Sequence, residues 1–148
     1  MNNDKTPNSQ PRRSLRLIFS YEGNNVRLVS SKSIEMLSPP SDPITTQEGR
    51  SGFWYELRDA ANHTLYRRGM QNPIKYFVEV RSSDPRRPLE WQKVNQPHGD
   101  FVLIVPELPL AETIRLFSSP LGHEATSKPA GELASYNLER SPTDKEEN

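Results

Sequence analysis

The chain has 148 residues, enough for one domain, and 32% of them are hydrophobic, below the roughly 45–50% of an ordinary globular domain. Nineteen basic residues balance nineteen acidic ones, which argues against a dedicated nucleic-acid binder. Cysteine is missing, so disulfides, thiolate nucleophiles and sulfur-ligated zinc are excluded.

Met1–Arg13 carries no apolar residue after the initiator and has too little hydrophobic surface to offset its ordering entropy, so a disordered tail is expected over 1–13. It shows no secretory h-region, and no apolar run approaches the roughly 18 residues that span a bilayer. With the absence of Cys, this makes a cytoplasmic protein without a membrane partner the expectation. From Leu15 onward the pattern changes. Leu15, Leu17, Phe19 and Tyr21 alternate with Arg16, Ile18 and Ser20, the period of a half-buried strand. Glu22–Asn25 holds Gly and Asn, which tolerate a turn, and Val26 and Leu28 open a second strand, which either runs long, since the parity continues through Ile34 and Met36, or bulges near Ser30–Ser31. Residues 37–52 form a long loop, because Pro39, Pro40 and Pro43 forbid both a helix and a central strand.

Phe53, Tyr55 and Leu57 alternate with Trp54, Glu56 and Arg58. After the turn Asp59–Asn62, Leu65–Arg68 returns as a hairpin partner. Ile74, Tyr76, Val78 and Val80 mark another strand, and Leu89–Val94 a further one. Phe101–Val105 is apolar on both faces, which predicts a central strand. Ile114, Leu116 and Phe117 close a domain spanning 14–119. Residues 120–148 read as a mostly disordered acidic tail, with Leu133–Leu138 as a candidate edge strand. No segment keeps a 3.6-residue period. The predicted fold is therefore all-β, an antiparallel immunoglobulin-like β-sandwich of about 7–9 strands. Charge is unevenly spread along it. Residues 64–94 hold seven basic and three acidic side chains, and residues 95–148 four basic and nine acidic.

Catalytic patterns are missing. His63, His98 and His123 never stand at the i, i+2 or i, i+4 spacing that would put two imidazoles on one metal, and no G-x-S-x-G is present. The glycines are scattered singly, unlike a phosphate-binding loop. Glu56 and Glu79 fall on outward strand faces and read as solvated. Trp54 and Phe77 have the opposite parity to the core residues of their strands, and Tyr66 could share it. Exposed aromatics of this kind mark interaction sites. Arg67, Arg68, Arg86 and Arg87 form basic pairs at hairpins, able to meet an acidic partner or to hold the acidic tail in cis.

The stretch Ser51–Ala60, with Leu65–Arg68, Gly99–Pro106 and Leu116–Pro120, resembles a group of uncharacterised bacterial β-sandwich proteins of immunoglobulin-like type. It is also faintly similar to the β-rich accessory domain of some secreted metallopeptidases. That second resemblance implies a signal peptide and an H-E-x-x-H zinc motif, and the sequence shows neither, so no catalytic role carries over. The expected function is that of a non-enzymatic protein-interaction or accessory module without a cofactor. Its expected contact regions are loop 37–52 and an outer face bearing Trp54, Tyr66, Phe77, Arg67, Arg68, Arg86 and Arg87. The alternative is a carbohydrate-binding module using the same aromatics.

Overall fold

The computed structural model describes residues 13–45, 50–75, 77–120 and 128–138. Tyr76, the side chains of Phe77, Val78, Glu79, Trp91 and Lys93, and most of the expected tails 1–13 and 120–148 lie outside the described residues. The described chain is all-β, with nine strands in antiparallel sheets and no helix. A three-stranded sheet runs β2-β1-β7, from Asn25–Glu35, Arg13–Glu22 and His98–Pro106. A four-stranded sheet runs β4-β3-β8-β9, from Thr64–Met70, Phe53–Arg58, Thr113–Ser118 and Gly131–Asn137. A separate hairpin joins β5, Phe77–Arg81, to β6, Leu89–Lys93.

Local chemistry sets the hairpins. Gly23 takes a φ of 61° in the two-residue turn between β1 and β2, a conformation glycine reaches without a Cβ clash. Asn62 takes a φ of 71° between β3 and β4, where the carboxylate of Asp59 accepts the His63 N–H at 2.7 Å and closes the turn. The β1–β2 register breaks once, between Ile18 and Phe19, leaving Val29 as a bulged residue. The strand both runs long, over 11 residues, and bulges, at Val29, one residue before Ser30–Ser31.

The two larger sheets share one core. Leu15, Leu17, Phe19 and Tyr21 of β1 pack in the same cluster as Phe53, Tyr55 and Leu57 of β3 and Ile114 and Leu116 of β8. Phe101 of β7 meets Phe53 edge-on at 6.5 Å, and Phe19 meets Tyr136 of β9 at 5.6 Å. The Tyr136 hydroxyl donates to the carbonyl of Val26, tying β9 to β2 across the core. Three connections cross between the sheets, β2 to β3, β4 to β7 by way of the small hairpin, and β7 to β8.

One expectation needs correction. β7 is not central. Among the described residues it pairs with β1 alone, and β1, flanked on both sides, is the middle strand. The apolar outer residues of β7 therefore reflect exposure and not burial within the sheet, with Val102 49% exposed. The candidate edge strand Leu133–Leu138 is present as β9, Gly131–Asn137. It pairs with β8 as an edge strand, and Leu138 just after it is buried.

Candidate functional site

Three rows of side chains cover the outer face of the four-stranded sheet. By register, Gly69, Trp54, Phe117 and Glu132 form one row, Arg67, Glu56, Arg115 and Ser135 the next, and Thr64, Arg58, Thr113 and Asn137 the third. Trp54 stacks on Phe117 at 5.1 Å and 10°, and the Arg50 guanidinium lies over the Trp54 ring at 5.4 Å. Arg58 lies over Phe117 at 5.5 Å.

Glu56 sits at the centre and is 1% exposed. Its Oε2 accepts from Trp54 Nε1 at 3.0 Å and from Arg67 Nε at 2.9 Å, with Arg67 Nη2 at 2.8 Å. Its Oε1 accepts from Arg58 Nε at 2.9 Å and Thr64 Oγ1 at 3.1 Å, with Arg58 Nη2 at 2.8 Å. Burial pushes this carboxyl up. The hydrogen bonds from Arg67, Arg58 and Trp54, together with the Arg67 charge, outweigh burial and hold it below the usual carboxylate range. A carboxylate with both oxygens saturated and a lowered pKa is a poor proton acceptor but a strong strut. Arg115 Nε is the one buried side-chain donor without a partner among the described residues, while its Nη1 reaches Glu132 at 3.2 Å.

This geometry corrects the expected aromatic face. Trp54 is 3% exposed, Tyr66 4% and Arg67 5%. Parity places Trp54 outside the shared core, as expected, but its cross-strand neighbours close over it. Tyr66 points the other way and joins that core beside Tyr55, the two rings 6.2 Å apart. Neither ring offers an open platform of the kind the carbohydrate alternative requires. Glu56, expected to be solvated, is buried because arginines on its own and the adjacent strand fold onto it. Phe77 contributes backbone to β5, and its side chain lies outside the described residues, as does that of Glu79. Arg86 and Arg87 stand exposed in the β5–β6 turn, where Arg86 N–H meets Asp84 Oδ1 at 3.0 Å, on a different sheet from Arg67 and Arg68.

Loop 37–52 is also not a free contact region where it is described. Residues 39–45 lie along the edge of β4. Asp42 donates its N–H to Arg67 O at 2.7 Å, and Asp42 Oδ2 accepts the Gly69 N–H at 2.7 Å. Ser41 Oγ accepts the Arg67 N–H at 3.1 Å, Pro40 O accepts from Arg68 Nη1 at 2.8 Å, and Pro39 O accepts from the Tyr66 hydroxyl at 2.8 Å. Prolines cannot donate, so the loop meets the strand edge with the Asp42 N–H and the side-chain oxygens of Ser41 and Asp42 in place of a full ladder, while the Pro39 and Pro40 carbonyls take side-chain donors.

The outer face of the three-stranded sheet is different. Its register rows are Lys32, Arg16 and Ile104, then Ser30, Ile18 and Val102, then Arg27, Ser20 and Asp100. Ile18 and Ile104 are half-buried and Val102 is open, while Arg16, Arg27 and Lys32 are exposed. At its turn end the face hollows into a polar groove of about 510 Å³ lined by Glu22, Arg27, His98 and Asp100, among others. Among the described residues no group of three His, Asp or Glu is disposed to hold a metal, and no helix is long and apolar enough to cross a membrane. Comparisons with family models, with curated proteins and with solved structures found no match.

Proposed function

We propose that the chain is a non-enzymatic accessory module, an immunoglobulin-like β-sandwich that docks on a protein partner through the outer face of β2-β1-β7. The observation that carries this reading is the run of Ile18, Val102 and Ile104 across that face, bordered by Arg16, Lys32 and Arg27. An antiparallel sheet with one solvated side normally keeps that side polar. An apolar centre inside a charged border is the anatomy of an interface. The immunoglobulin-like reading is supported by two sheets that share a core and exchange strands through three crossings. The saturated Glu56 supports a non-enzymatic role, since the most buried carboxylate serves the scaffold. A chain without cysteine suits the cytoplasm.

The experiment is site-specific photo-crosslinking in cells that express the chain natively. Benzoylphenylalanine at position 104 should give a discrete adduct with another protein, and at position 86 none. Equal crosslinking from both positions, or none from 104, would remove the docking face.

A further inference from the structure

The four edges of the two larger sheets are not treated alike. Residues 39–45 cover the edge of β4. β2 is bulged at Val29 and bears exposed Arg27, Lys32 and Glu35. β9 begins just after Pro129, breaks register against β8 between Leu116 and Phe117, and carries an exposed Glu132. Bulges, charges and covering loops are the usual devices that stop a sheet from growing. Among the described residues β7 has neither a bulge nor a loop hydrogen-bonded along its free edge, and its charge is sparse. It is nine residues long, pairs with β1 with no register break, and has no strand on its second side among the described residues. Its only carboxylate is Asp100, it has no Lys or Arg, and its one proline is the last residue, Pro106.

We propose that β7 pairs antiparallel with β7 of a second copy of this chain, about a twofold axis at Val102. The strand is self-complementary in that register. Residues opposite each other in an antiparallel pair share a face, so only registers that match even with even positions keep both cores on one side. Centring on Val102 satisfies this and pairs all nine residues, whereas a shift of two in either direction leaves two residues of each strand unpaired. Phe101 then lies against Leu103 of the other copy, and the core continues across the seam. Asp100 lies against Ile104, so no like charges are opposed. Pro106, which has no N–H, falls opposite His98 at the end of the ladder, where a missing donor matters least. The open side chain of Val102 is covered by its own copy. The product is a six-stranded sheet whose outer face carries both apolar centres.

The absence of cysteine makes a direct test possible in the full chain. Directly opposed residues place Cα atoms about 4.5–5.5 Å apart, within the span of a disulfide. Val102→Cys should give a disulfide-linked dimer under a mild oxidant, while Val29→Cys, an equally open position on β2, should stay monomeric. The unsubstituted chain should sediment at twice its monomer mass at high concentration, and Val102→Lys should remain a monomer. Ile18→Glu, which alters the docking face and not the edge, should still dimerise, so the two proposals fail separately. A parent chain that stays monomeric up to roughly millimolar concentration would overturn the pairing, as would equal crosslinking from Val29→Cys or a Val102→Lys dimer. If Val102→Lys does not fold, the two cysteine variants decide.

Discussion

Replacing Glu56 by Gln probes the network that holds the outer face of the four-stranded sheet. The substitution keeps the volume and one acceptor oxygen but removes the charge that faces Arg67 and Arg58 at 2.8 Å each. Breaking a buried ion pair by altering one partner costs about 3–5 kcal/mol. Two features place the loss near the lower end. The Arg58 side chain is 19% exposed and regains water, and Arg67 keeps a bond from Nη1 to Thr45 O at 2.8 Å. A loss of about 3 kcal/mol lowers the melting temperature by roughly 10 °C or more in a domain of this size. The pH dependence follows from the sign of the shift. The folded carboxyl titrates below its unfolded value of about 4.3, so its contribution is fully present above that pH and disappears as pH falls through the folded value. Melting of parent and Glu56→Gln, followed by circular dichroism, should therefore differ fully at pH 7 and converge on acidification below about pH 4. A variant that melts with the parent at pH 7, or a gap that persists unchanged into strong acid, would refute the argument.

Leu103→Ala should cost about 2–5 kcal/mol in denaturant unfolding, since Leu103 is 2% exposed within the shared core; an unmoved midpoint would contradict its inward placement. Asp42→Ala should speed amide exchange at Gly69 and cost about 1 kcal/mol, because Asp42 Oδ2 is the acceptor for that N–H at the edge of β4; unchanged exchange would show that the loop does not guard the edge. Burial raises the phenols of Tyr66 and Tyr55, so both are held protonated by the fold. Their contribution is complete below the unfolded value of about 10 and is lost as pH rises through the higher folded values. Absorbance of tyrosinate in the folded chain should accordingly lag behind that of the unfolded chain, and coincident titrations would contradict the burial.

Much of this architecture was legible where one face of a strand is apolar and the other is not. Leu15, Leu17, Phe19 and Tyr21 announce β1, and Phe53, Tyr55 and Leu57 announce β3, because period-2 alternation records burial on one side only. The same logic misplaced β7. Apolar residues on both faces read as a strand flanked on both sides, and sequence cannot tell burial from an exposed apolar face. Alternation also assigned Trp54 and Glu56 to the outer side, but what covers that side comes from afar. Phe117 lies 63 positions from Trp54 and Arg67 lies 11 from Glu56, so the closing layer has no local signature. The triplet Trp54, Glu56 and Arg58, three polar-capable side chains on one strand face, was the available hint. β9 was faint because it is set in a polar, proline-bearing stretch, and its worth comes from pairing with β8.

The docking face is tested most directly by combining the crosslinker at position 104 with Ile18→Glu. Ile18 is half-buried at the middle of the face on the central strand, and its neighbours across the sheet are Ser30 and Val102. A carboxylate there should leave melting within roughly 1 kcal/mol of the parent, as for most surface changes, while abolishing the adduct. An adduct that forms with undiminished yield from a folded Ile18→Glu chain would contradict the assignment of that face to a partner.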